Sequence, residues 1–244
     1  MIIRIMLALG VFALGTHGPA TWAAPISLDA VDSGQIRYRD TSGCIQGGTD
    51  SAQHSDSLTS VGFSLSPCGF GTSTITRTSG YWIFDLSTVA APASSASVSV
   101  SIDSLSGVSG ALDLYDYTQT SAAALSNLAV GAVPVGVANA FENDVSSGNL
   151  LASLAVNNAT SSGVYDLTLS PYALGLIDNT NGLLALGVSY SPDFSGALFA
   201  ERIDFAGPAQ LNLDLPDGSV PLPATWSLLA VSLAGLGFVR RRRA

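Results

Sequence analysis

Between Ser95 and Asp103 the chain reads SASVSVSID, with Val98, Val100 and Ile102 on alternate positions and Ser97, Ser99 and Ser101 between them. A period of two puts the three aliphatic side chains on one face of an extended backbone and the hydroxyls on the other, the signature of a half-buried strand. A helix would scatter the same residues around its circumference. QLNLDL repeats the pattern, with Leu211, Leu213 and Leu215 opposite Gln210, Asn212 and Asp214. Further strands are predicted over 81–87 (YWIFDLS), 111–117 (ALDLYDY), 163–170 (GVYDLTLS), 183–190 (LLALGVSY) and 197–205 (ALFAERIDF). Turn-forming clusters such as 178–182 and 191–196 separate them. One short helix is expected over 171–177, capped by Ser170, with Pro171 at the first helical position, where its missing N–H costs nothing. Residues 40–60, polar and rich in Gly and Ser, read as a long loop. About nine or ten short strands with long connections predict an all-β fold, an antiparallel β-sandwich of the jelly-roll kind.

Both ends stand apart from this pattern. MIIR, the apolar IMLALGVFALG and the small-residue site ending at Ala23 read as a secretory signal peptide, so that Ala24 begins the mature protein. The rival reading, an N-terminal membrane anchor, needs roughly 20 apolar residues. With the last 25 residues also set aside, residues 24–219 suffice for one β domain. This span carries all 18 acidic residues of the chain against four cations, Arg37, Arg39, Arg77 and Arg202, a formal charge of −14. Such a balance argues against nucleic acid as a partner. Cys44 and Cys68 are the only cysteines, and in an exported chain they are expected to pair and pin the 40–60 loop. In the chain-entropy picture this closure is worth about 3 kcal/mol.

The stretch YWIFDLSTVAAPASSASVSVSI, followed by ALDLYDY, GVYDLTLS and LALGVSY, resembles secreted bacterial proteins whose jelly-roll domain carries an F-D-L-S motif. The specific residues are Phe84, Asp85, Leu86 and Ser87. Phe84 and Leu86 are expected in the core, with Asp85 and Ser87 satisfying backbone groups of a turn.

Residues suited to catalysis are few. His54 is the sole histidine of the domain; placed in QHSDS, it reads as a solvated loop residue, and neither a Ser-His-Asp nor a Cys-His mechanism is expected. Zinc would lack ligands. Glu142, Glu201 and 16 aspartates supply carboxylates, yet no spacing selects an acid–base pair, so the chain is expected not to be an enzyme and to need no cofactor. Structural calcium is left open, with Asp113 and Asp116, or Asp40 and Asp50, as ligands. Tyr81, Trp82, Tyr115 and Tyr117 are candidate platforms for sugar rings, with core packing the preferred role for any one of them, since alternation turns half of them inward.

The chain ends in VPLPA (Val220, Pro221, Leu222, Pro223, Ala224), an apolar stretch from Trp226 to Val239, and Arg240, Arg241, Arg242 and Arg243. The prolines hold the backbone extended and open to a processing enzyme, the apolar stretch is read as a transmembrane helix, and the arginines stay cytoplasmic. This layout resembles the PEP-CTERM sorting signal of Gram-negative bacteria in its V-P-L-P-A variant. The resemblance implies export through Sec, transient anchoring in the inner membrane and recognition by an exosortase, followed by residence at the cell surface or in the extracellular matrix. Leu222 stands where the founding motif has Glu. Leu222–Thr225 also resembles a sortase L-P-x-T site, but Trp226 occupies the place of its glycine. A permanent tail anchor would leave the same residues uncleaved. The function expected is structural or adhesive within biofilm or exopolysaccharide, ahead of carbohydrate binding, with a polysaccharide-active enzyme third.

Overall fold

The computed structural model describes residues 25–216 except 42–43, 45–49, 70–71, 90, 118–120, 181 and 194–199. The predicted cleavage site at Ala23 and Ala24, the 220–224 motif, the apolar segment 226–239 and the arginines 240–243 lie outside the described residues. Among those described, thirteen strands and three helices follow in the order β1 (Ile26–Asp29), β2 (Asp32–Asp40), β3 (Ser51–Ser55), β4 (Ser60–Gly69), β5 (Thr72–Asp85), β6 (Ser95–Ser106), β7 (Ser109–Asp116), α1 (Ala122–Ser126), β8 (Gly131–Ala132), α2 (Val135–Ser147), β9 (Leu150–Asn157), β10 (Gly163–Thr168), α3 (Pro171–Asn179), β11 (Leu183–Pro192), β12 (Ala200–Phe205) and β13 (Gln210–Asp214).

The strands pair antiparallel along a path β1-β13-β6-β12-β4-β5-β11-β7-β9. β10 lines the other edge of β6, and β2 lies along β5, carrying β3 and then β8. This path folds over on itself into a sandwich-like, all-β architecture. Trp82 and Phe84 of β5, Leu112 and Leu114 of β7 and Leu184, Leu186 and Val188 of β11 share one core with Val98, Val100 and Ile102 of β6 and Leu211 and Leu213 of β13. The alternation in β6 and β13 thus does what its period requires, burying one set and leaving the serines and Asn212 outside.

A second, smaller cluster covers the opposite face of β5: Ile36, Ala52, Tyr81, Ile83 and Ala185 pack with Leu125 of α1 and Ala138 and Phe141 of α2. α2 lies across β2, β7 and β11. Residues 81–84, YWIF, are therefore buried on both faces, Tyr81 and Ile83 in one cluster, Trp82 and Phe84 in the other. A strand covered on both sides has no reason to alternate in polarity.

Two expectations are corrected. The segment 40–60 is not one loop: residues 51–55 form β3, because pairing with β2 turns Ala52 into the second cluster and buries His54 beside Tyr81 while Ser51 and Gln53 face out. Among the described residues three helices stand where one was expected between 24 and 219. α3 forms as read, with the Ser170 hydroxyl accepting from the Ala173 N–H and Pro171 in the first turn. In α1 the Ser121 side chain caps Ala124, and α2 buries Ala138 and Phe141 one turn apart. Their Ala, Gly, Ser and Asn content leaves almost no apolar stripe to read.

The F-D-L-S stretch behaves as expected. Phe84 and Leu86 are buried, and the Asp85 carboxylate accepts the Ser87 N–H at 2.9 Å, closing the turn after β5. That backbone hydrogen bond, ahead of one from the Ser87 hydroxyl, holds the Asp85 carboxyl below its ordinary range. The disulfide between Cys44 and Cys68 is formed, tying the segment after β2 to β4.

Candidate functional site

Of the four aromatic residues weighed between sugar binding and core packing, Tyr81 and Trp82 lie in the cores, and Tyr115 and Tyr117 pack, partly buried, against the smaller one. Tyr81 and Trp82 are each 1% exposed, which leaves no ring face for a ligand. Trp82 meets Phe205 edge-on, with centroids 5.4 Å apart. Tyr117 leans on Phe141 at 5.4 Å, and half-buried Tyr115 directs its hydroxyl at Asp113. His54, read as solvated, is 3% exposed. Its ring stacks with Tyr81, its Nε2 lies 3.0 Å from the Tyr81 Oη, and its Nδ1 lies 3.3 Å from the Ala129 carbonyl, while Tyr81 donates to the Leu125 carbonyl at 3.2 Å. Gly34 makes this pair possible: a Cβ there would sit 2.4 Å from the Tyr81 Oη and 2.7 Å from His54 Nε2.

The candidate calcium ligands Asp113 and Asp116 do not converge. Asp113 and Asp116 are three positions apart on one strand and point to opposite faces. Asp113 accepts from the hydroxyls of Ser153 (2.6 Å) and Ser191 (2.5 Å). Asp116 accepts from the Asn149 backbone N–H (2.7 Å), the Asn149 amide (2.8 Å) and the Tyr172 hydroxyl (2.7 Å). Asp50 accepts from the Thr41 N–H and hydroxyl and from Tyr38, and the Thr41 N–H chiefly holds its carboxyl below the usual range. Among the described residues no three His, Cys, Asp or Glu side chains are grouped to hold a metal. Glu201 is buried and accepts from the Tyr190 hydroxyl, whose oxygen in turn accepts from the Ser109 N–H.

Burial, with that bond to Glu201 next, pushes the Tyr190 hydroxyl well above its ordinary range, and burial followed by the charges of Asp32 and Asp56 does the same to Tyr81. A tyrosine that ionises more readily in the unfolded chain contributes stability that is full below the unfolded value and lost above it. The urea midpoint is therefore expected to fall as the pH passes about 10. Tyr81→Phe should flatten that fall in a series of urea titrations against pH, and an unchanged slope would contradict it.

An open feature of the surface lies where five strands run side by side. The pairing registers place Gln53, Arg37, Thr78, Gly62 and Arg202 directly across from one another on β3, β2, β5, β4 and β12. The adjacent row on the same face is Ser51, Arg39, Thr76, Ser64 and Ala200. Two hollows of about 320 and 190 Å³ lie along it and share Arg37. Gly62 leaves the floor bare and lets β12 approach closely, since a Cβ there would come within 2.4 Å of the Glu201 carbonyl. Sequence reasoning missed this face; Arg37 and Arg39 alternate visibly, but Arg202 joins them only through strand register.

Compared with protein-family models and with curated proteins, the chain matches none. No helix among the described residues is long and apolar enough to cross a membrane.

Proposed function

We propose that this is an exported, non-enzymatic protein of the extracellular polysaccharide matrix of a Gram-negative bacterium. Its body is a jelly roll with a structural or adhesive role, delivered by a cleaved signal peptide and sorted by an exosortase-type enzyme at VPLPA. The observation that carries this reading is the succession, in the sequence, of the Val220–Ala224 motif, the apolar run 226–239 and Arg240–Arg243. The Cys44–Cys68 disulfide supports it, because such bonds persist in oxidising compartments outside the cytoplasm. The folded-over antiparallel path, with β6 facing β5, β11 and β7 across one core, supports the jelly-roll assignment.

Intact-mass analysis of the protein recovered from the surface of an exosortase-bearing host tests it. The expected mass begins at Ala24 and lacks Trp226–Ala244, and deleting the exosortase gene restores the tail. A surface form that retains Trp226–Ala244 in the parent strain would overturn the sorting assignment. Carbohydrate binding is the second reading, favoured by the arginine and hydroxyl rows across β3, β2, β5, β4 and β12.

A further inference from the structure

We propose that the five-stranded face bearing Arg37, Arg39 and Arg202 binds a strand of carboxylate-bearing polysaccharide. The source of the polymer rests on the matrix reading above; the site rests on charge and register. Residues 24–219 hold four cations in a field of 18 acidic groups, and three of the four sit on this one face. Apart from Glu201, whose carboxylate turns away to Tyr190, no residue lining the two hollows is acidic. Arg37 and Arg39 are exposed, and among the described residues neither forms an ion pair. Arg202, its side chain 60% exposed, spends its Nε on Asp204, which leaves the terminal guanidinium nitrogens for a ligand.

The positions between the arginines suit a sugar. Thr76, Thr78, Ser64 and Gln53 offer hydroxyls and an amide to a hydroxyl-rich partner, and Gly62 offers room. Strands lie about 4.8 Å apart, so Arg37 on β2 and Arg202 on β12 are separated by roughly 14 Å of sheet. Charges so spaced match carboxylates distributed along a polymer; a single small anion needs donors that converge on it. A nucleic acid, with about one charge per 1.7 Å of duplex, would press its remaining phosphates against the acidic surface around the face.

The test uses the protein as its host exports it, with the disulfide formed, titrated calorimetrically with oligogalacturonate and, as neutral control, with dextran. Saturable binding of oligogalacturonate is expected, weakening as salt screens it, with none to dextran. R37Q and R202Q are each expected to weaken binding roughly fivefold, the upper range for an exposed ion pair. The double variant should lose roughly 25-fold, as for near-independent sites. R77Q, outside both rows, should match the wild type, and circular dichroism confirms that each variant is folded. Absence of saturable binding, equal binding of dextran or of single-stranded DNA, or unchanged affinity in folded R37Q/R202Q would each overturn the proposal. Affinity and processed mass are read separately, so this site can fail while the sorting assignment stands, and the reverse.

Discussion

Phe84→Ala is expected to lower the unfolding free energy by about 3–5 kcal/mol, the usual range for emptying a fully buried aromatic site. Phe84 is 0% exposed and lies opposite Leu184 of β11 in the larger core, to which β6, β7 and β13 also contribute. Neighbouring strands are hydrogen-bonded along their length and cannot close over the space a phenyl ring leaves, so the lost contacts go largely unreplaced. Asp85, one residue on, is the contrast. Its carboxylate serves only the exposed N–H and hydroxyl of Ser87, and Asp85→Ala should cost only about 1 kcal/mol, since water can take over those bonds. Urea denaturation of both variants measures the difference. Equal losses would mean that Phe84 does not fill the core and that the F-D-L-S stretch acts through its turn.

Legibility in this chain follows how many faces of a strand are covered. β6 and β13 have one covered face and one wet face, so their alternation was readable, although their pairing was not. In β5 the run from Tyr81 to Phe84 is covered twice, and polarity carries no directional information there; alternation sends only half of such a run inward, whereas Tyr81 and Trp82 are both core. β2, β3 and β4 were lost for the opposite reason. Their Ser, Thr, Gly and Gln positions look like loop composition, and the strands exist because neighbours pair with them rather than because the segments are strongly apolar. His54 shows the consequence, a polar residue in a polar stretch that tertiary pairing carries inside. The arginine face was illegible on different grounds: a motif search sees residues close in sequence, and Arg37 and Arg202 come from opposite ends of the domain.

Removing the disulfide, by C44S/C68S or by reduction, is expected to cost about 3 kcal/mol. That is a large share of the roughly 5–15 kcal/mol that holds a domain of this kind together. The bridge joins residues 24 apart with Cα atoms 5.8 Å from one another. Opening it frees a loop of that length in the unfolded chain, and the entropy gained there accounts for most of the loss. The tether also has a local role. It links the chain leaving β2 to β4, and those two strands flank β5 on its two edges. Both carry positions of the arginine face, Arg37 and Arg39 on one and Gly62 and Ser64 on the other. The expected signature is therefore double: a lower urea midpoint with the transition still cooperative, and faster amide exchange in β2 and β3 than in β6, which is held by β10, β12 and β13. If reduction shifted the midpoint by less than the equivalent of about 1 kcal/mol, the unfolded chain would already be keeping Cys44 near Cys68, and the loop-entropy account would not hold. Uniform exchange across β2, β3 and β6 would in turn remove the local role and leave the bridge acting on the unfolded chain alone.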